Sequence, residues 1–251
     1  MSKKVTFITA SLGRRHETTG IAVTERTQVP VSEAYTYIPH PPPKSPFRFR
    51  VREPSAVELA QTRQDTRLEY HIRYLQRHGP PSRVAKVGAI LGRILAGTRG
   101  DAIVLADVTA VGMPAFVKIR QATADAVGWR RPFSAAAVNI SGMAGGVSRS
   151  ADGAHIVPRR DLISEAQTAF DLEKLRVADE LPLATTLKDE LLSFKETKAT
   201  RNPDSLEGWR EGAADDLVLS VALAVWASER FLSSPDYVVL PKAESFSSGH
   251  A

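Results

Sequence analysis

The run 217–226, LVLSVALAVW, has no charged side chain and is apolar on nearly every side of a helix, which predicts a buried core helix. It falls well short of the roughly 20 apolar residues a membrane span needs. Asp215 and Asp216 stand directly before it, where the positive end of the helix dipole favours negative charge. Either acid could act as an N-cap that accepts a first-turn amide, and both could serve as metal ligands.

Other segments alternate or repeat in ways that place further elements. Residues 5–10, VTFITA, read as a strand that enters a turn at Ser11-Leu12-Gly13. Arg14, Arg15, His16 and Glu17 connect it to a second β-rich run, 18–24, so the pair is expected to be a hairpin with a loop of several residues. In 68–75, Tyr70, Ile72 and Tyr74 alternate with Glu69, His71 and Arg73, the pattern of a half-buried strand. His71 lies on the polar face with no second His at ligand spacing, so it is read as solvated. After Gly79-Pro80-Pro81, Ser82 can cap a helix whose apolar positions are Val84, Val87, Leu91, Ile94 and Leu95, and Gly97 can end it. The short apolar run 103–106 suits a parallel strand covered on both faces, and it ends in Asp107. A tight turn and Pro114 at a first helical position follow. Residues 135–140 form another strand candidate, before Gly142, Gly145 and Gly146. A helix is expected from Val157 to about Phe170, with Leu162, Ile163, Ala166 and Phe170 on its apolar face and Asp161 in its first turn. A minor strand at 175–177 and an amphipathic helix at 183–194, bearing Leu187, Leu191 and Leu192, complete the series.

Two stretches differ in character. Residues 39–54 combine a cluster of prolines with Phe47 and Phe49 alternating against Arg48, Arg50 and Arg52. That pattern reads as a solvated Pro/Arg-rich insertion on a sheet edge, with single-stranded nucleic-acid contact as the alternative. The tail, 232–251, is rich in Ser, Pro and Gly and is expected to be flexible, leaving 1–231 as the folded domain.

Composition adds limits more than assignments. The chain has 251 residues, 43% hydrophobic and 24% charged, which is ordinary for a globular protein. Its 33 Lys and Arg against 28 Asp and Glu give a net charge of +5, compatible with an anionic partner such as DNA. With no cysteine, disulfides and thiolate metal sites are excluded, and a cytoplasmic location without a membrane anchor is the expectation. The glycine loop matches neither G-x-x-x-x-G-K-[ST] nor G-x-G-x-x-G, and no Walker-type ATP site occurs in the sequence.

Taken together, hairpin, strand, helix, strand, helix, strand and helices describe a mixed α/β sheet. If the strands at 5–10 and 103–106 are parallel neighbours, Ser11 and Asp107 share the rim where open α/β sheets place ligands. A last helix crossing that rim would add Asp215 and Asp216. Acids gathered from separate segments suit Mg²⁺ or Mn²⁺, and two such ions can clamp a phosphodiester during hydrolysis.

The segments SLGRRHETTGIAV, ADVTAVGMP, VPRRDLIS and WREGAADDLVLSVALAVW resemble the nuclease domain of phage terminase large subunits. The family patterns are D-L-G-x-x-x-D-x-T-A, D-x-T-G-x-G-x-P and W-R-E-G-x-H-D-D-L-V. The resemblance extends from Phe7 to about Arg230 and implies a ribonuclease H-like α/β mixed sheet flanked by helices. It further implies a two-metal DNA endonuclease with Asp107, Asp215 and Asp216 as catalytic and metal-binding acids. The first acid of the family falls on Ser11, a degenerate metal position, and the family's His before the paired acids is Ala214. Glu17, which takes the place of the second acid in the first motif, is the candidate replacement ligand.

A hydroxyl is a poor ligand for a hard dication, so metal binding and cleavage are expected to be weakened. Arg14, Arg15, Arg159 and Arg160 are the candidate DNA contacts. Two functions stand open: an impaired Mg²⁺/Mn²⁺-dependent DNA endonuclease, and a catalytically inactive DNA- or protein-binding scaffold that kept the fold. Other terminase or phage proteins are the further partners implied, and packaging would need a separate ATPase motor.

Overall fold

The computed structural model describes residues 4–13, 17–30, 66–80, 83–128, 133–142, 146–200 and 215–231. The insertion at 39–54, the tail at 232–251, Arg14, Arg15, Ser82 and Ala214 lie outside them.

Among the described residues, eight strands form one mixed sheet: β1 Val5–Ser11, β2 Thr19–Pro30, β3 Thr66–His78, β4 Asp101–Asp107, β5 Ser134–Ser141, β6 Ser148–Arg149, β7 His155–Pro158 and β8 Leu175–Val177. Their spatial order is β6-β7-β5-β4-β1-β2-β3-β8. The first three strands form an antiparallel meander, while β4 joins β1 in parallel, followed in parallel by β5 and β7. Helices α1 Val84–Gly97, α2 Met113–Val127, α3 Arg159–Asp171, α4 Ala184–Thr200 and α5 Asp216–Phe231 flank it. The architecture is the ribonuclease H-like mixed α/β sheet expected from the sequence.

Alternation along the strands divides the apolar side chains between two faces. Ile8, Ala10, Ile21, Val23, Val104 and Ala106 pack with α1 and α2. The two helices approach closely, because a Cβ at Gly88 or Gly92 would stand 2.6 Å from Ile119 O or Ala126 Cβ. On the other face, Phe7, Leu105 and Val138 pack with Leu219, Leu223 and Trp226 of α5. Tyr70, Ile72 and Leu75 meet Val218, Val221 and Val225 of the same helix, with Leu187 and Leu191 of α4 alongside. Every residue of α5 from Asp216 to Ser228 is buried, so the helix is a core element on all sides.

Several sequence expectations need adjustment. The run around Val157 begins a helix only at Arg159: Val157 and Pro158 extend β7, whose Val157 pairs with Ile140, and Pro158 has the extended angles φ −60° and ψ 130°. Phe170, assigned to the apolar face of α3, is exposed, while Ala169 is buried in its stead. His71 Nε2 lies 3.1 Å from a carboxylate oxygen of the buried Glu69, so it has a polar partner and is not simply solvated. Burial, then the neighbouring Arg73 charge, keeps His71 below the usual imidazole range in spite of that carboxylate.

The alternation in β3 breaks midway. Val23 pairs with Tyr74 and Thr24 with Ile72, leaving Arg73 as the extra residue of a bulge. Tyr70 and Ile72 therefore share a face with Leu75, and Tyr74 packs instead toward the α1–α2 side. Beyond the bulge, Arg77 lies on the Leu75 face, opposite Gly20.

No helix among the described residues is long and apolar enough to cross a membrane. At the far end of α5 from its acids, His155 is buried between Trp226 and Phe231, at ring-centroid distances of 5.8 and 5.3 Å. Burial, reinforced by Arg149, pushes its imidazole down to about 4 from 6.5. A folded value below the unfolded one means that the stability from neutral His155 is fully present above about pH 6.5 and is lost as pH falls through about 4. In His155→Phe, unfolding free energies from urea titrations across this interval should fall less steeply than in the parent, by up to about 1.4 kcal/mol per pH unit.

Candidate functional site

The parallel register of β1 and β4 makes Ser11 and Asp107 direct neighbours at the carboxyl ends of the sheet's central strands. Both follow the odd-numbered alternation that puts Phe7 and Leu105 against α5. Ser11 Oγ donates to Asp107 Oδ2 at 3.4 Å. Asp107 Oδ1 accepts the Thr109 N–H at 2.9 Å and also the Thr109 hydroxyl. Thr109 Oγ1 in turn accepts the Ile140 N–H at 2.6 Å, so the turn after β4 is tied to β5. Burial pushes the Asp107 carboxyl above its usual range, against the opposing effect of the Thr109 and Ser11 bonds and the Arg159 charge.

The first turn of α5 reaches this rim. The Asp215 carbonyl accepts the Leu219 N–H at 2.9 Å, which makes Asp215 the N-cap residue by backbone geometry. Its carboxylate engages Arg159 Nη2 from the first turn of α3. The Val218 amide is capped from another helix: Glu190 Oε2 of α4 accepts it at 3.2 Å. Asp216 is buried against the sheet, where Arg77 Nε donates to its Oδ2 at 3.1 Å and Arg77 Nη2 lies 2.8 Å from its Oδ1. Arg77 Nη2 also pairs with Glu190. One guanidinium thus bridges carboxylates from two helices. Burial pushes the Glu190 carboxyl up, while Arg77 and the Val218 amide pull it back down.

Ser220 positions the helix relative to the strands. Its hydroxyl contacts the carbonyls of Asp216 at 2.7 Å and Gly20 at 3.0 Å, and its oxygen accepts the Ser11 N–H at 3.2 Å. Gly20 permits the approach, since a Cβ there would stand 2.4 Å from Asp216 O.

The structure thus gathers Ser11, Asp107, Asp215 and Asp216 at one rim. Glu17 is exposed in the connection before β2, which begins only at Thr19. Arg160 is exposed, with Asp161 at 3.9 Å, whereas Arg159 turns inward to Asp215 and is engaged there. Arg77, Glu190 and Ser220 are the rim residues that sequence reasoning missed. Ser220 had a signal, as the polar residue within the apolar run 217–226. Glu190 resembles any solvated acid of an amphipathic helix. Arg77 depends on a bulge that side-chain periodicity does not reveal.

A pair of hard dications needs carboxylate oxygens directed at them. Here both Asp107 oxygens already accept hydrogen bonds, Ser11 supplies a hydroxyl without charge, and Asp215 and Asp216 face guanidinium groups. As arranged, this donor set does not fit two divalent ions. No family model matches the chain, and neither does any curated protein.

Gly20→Ala should force α5 away from β2 and cost about 1–3 kcal/mol of stability in urea unfolding, the range for overpacking a close contact. Unchanged stability would mean that the helix terminus yields freely.

Proposed function

We propose that the chain is a DNA-binding derivative of a terminase-type nuclease in which metal-dependent hydrolysis has been lost. The observation that carries this reading is the pairing of the rim acids with protein donors: Arg159 on Asp215, Arg77 on Asp216 and Glu190, Ser11 and Thr109 on Asp107. Two-metal hydrolysis depends on cations that hold the attacking and leaving oxygens. A rim whose carboxylates are already engaged, and whose first acid is Ser11, offers those cations little.

Charge at the rim argues in the same direction. Asp107, Glu190, Asp215 and Asp216 outnumber Arg77 and Arg159, so without dications a phosphate backbone gains nothing by entering it. Support for DNA as partner comes from the chain's net charge of +5 and from the family resemblance of its motifs. Exposed basic side chains such as Arg160, whose nearest acid is Asp161 at 3.9 Å, are the contacts this reading requires.

Two measurements test it. Plasmid DNA incubated with the protein and Mg²⁺ or Mn²⁺ should remain intact; metal-dependent nicking that Asp107→Asn abolishes would sink the proposal. Fluorescence anisotropy with duplex DNA should show binding that weakens roughly 40-fold between about 50 and 200 mM salt if three phosphates are neutralised. Arg160→Ala should lower the salt slope by about 1.

A further inference from the structure

The rim poses an electrostatic problem independent of any catalysis. Asp216 and Glu190 are largely buried, Asp107 is buried at the carboxyl end of β4, and Asp215 begins the helix that carries Asp216. Carboxylates brought together from separate elements repel and favour protonation unless a cation lies among them. In metal-dependent enzymes that cation is a bound ion. Here positive charge enters from two side chains. Arg77 comes from the sheet and Arg159 from the start of α3. Arg77 pairs with Glu190 and Asp216, and Arg159 pairs with Asp215. A guanidinium is planar, permanently charged and carries five donors, so it can bridge two carboxylates as a metal ion does.

We infer that Arg77 and Arg159 act as built-in replacements for divalent cations, so that the rim assembles and stays folded without metal and excludes metal while they are present. This rests on reading the chain as nuclease-derived, but it concerns only the charge balance of this chain's own residues.

The β3 bulge gives the inference a structural basis. Leu75 and Arg77 lie on the α5 face because Arg73 shifts the register; without the shift, Arg77 would point toward α1 and α2. The bulge is thus what directs one of the two cations at the acids.

The test uses the full chain and Mn²⁺ as probe, read by the loss of the free-ion electron paramagnetic resonance signal and by urea midpoints. The native protein should bind Mn²⁺ no better than millimolar, and its midpoint should be the same in chelator and in Mn²⁺. A site with a Kd tenfold below the ion concentration would raise the folded-to-unfolded ratio about elevenfold. In Arg77→Gln/Arg159→Gln, Mn²⁺ affinity should rise at least tenfold, or folding should come to require the ion, and Asp107→Asn in that background should reverse the gain.

If the double variant is unfolded with and without Mn²⁺, the single variant Arg159→Gln, whose ion pair is the more exposed, carries the same comparison. Tight Mn²⁺ binding by the native chain would overturn the inference. So would a folded variant that binds Mn²⁺ no better than the native protein. Failure to bind DNA would overturn the proposed function while leaving this result intact.

Discussion

A helix buried on all sides carries its first turn into the protein with it, and the first turn of α5 bears carboxylates. This constraint governs the arrangement around it. Two ions removed from water cost several kcal/mol each unless close partners compensate, and one partner alone leaves the other charge exposed to the same penalty. The dipole of α5 favours Asp215 and Asp216 but contributes only about 0.3–1 kcal/mol per charge. Larger compensation has to come from full charges, and Arg77 and Arg159 supply them. The elements that carry these arginines, β3 and α3, are fixed in turn by packing on α5. Helix, strand and ion pairs therefore depend on one another.

Much of this was legible in the sequence where the signal is periodic. The uncharged run 217–226 marked α5, the continuous apolar run at 103–106 marked a strand covered on both faces, and the parallel pairing of β1 with β4 sets Ser11 beside Asp107. What escaped had no period. The extra residue in β3 reverses which side chains are buried, so reading Tyr70, Ile72 and Tyr74 as one face fails at Tyr74 and hides Arg77. Glu190 becomes a rim residue only because α4 packs beside α5, a tertiary fact that its local sequence does not encode. Val157 and Pro158 adjoin the helical spacing of Leu162, Ile163 and Ala166, but pairing to β5 makes them strand.

The N-cap question shows how local and tertiary effects divide. Asp215 has the position of a cap, since its carbonyl begins the helical ladder, yet its carboxylate is engaged by Arg159. Capping of Val218 falls to Glu190, whose own charge is held by Arg77. A single guanidinium thereby links helix capping, helix packing and sheet register. Removing it would leave two acids unpaired at once, whereas removing Glu190 would leave an amide and a guanidinium with fewer partners. The two substitutions are therefore not equivalent, although they break the same contact.

Ser11 belongs to the same charge balance. An acid at that position would stand beside Asp107 across a parallel strand pair, at the spacing of about 4.8 Å between neighbouring strands. Two carboxylates so close, both buried, would need a cation between them or would share a proton. The ion pairs of Arg77 are with Glu190 and Asp216, and that of Arg159 is with Asp215. A hydroxyl at position 11 removes that requirement and donates to Asp107 instead. The serine and the two arginines are then parts of a single solution: the rim keeps as many carboxylates as the protein itself can neutralise or hydrogen-bond, and the position that would have exceeded this limit carries no charge.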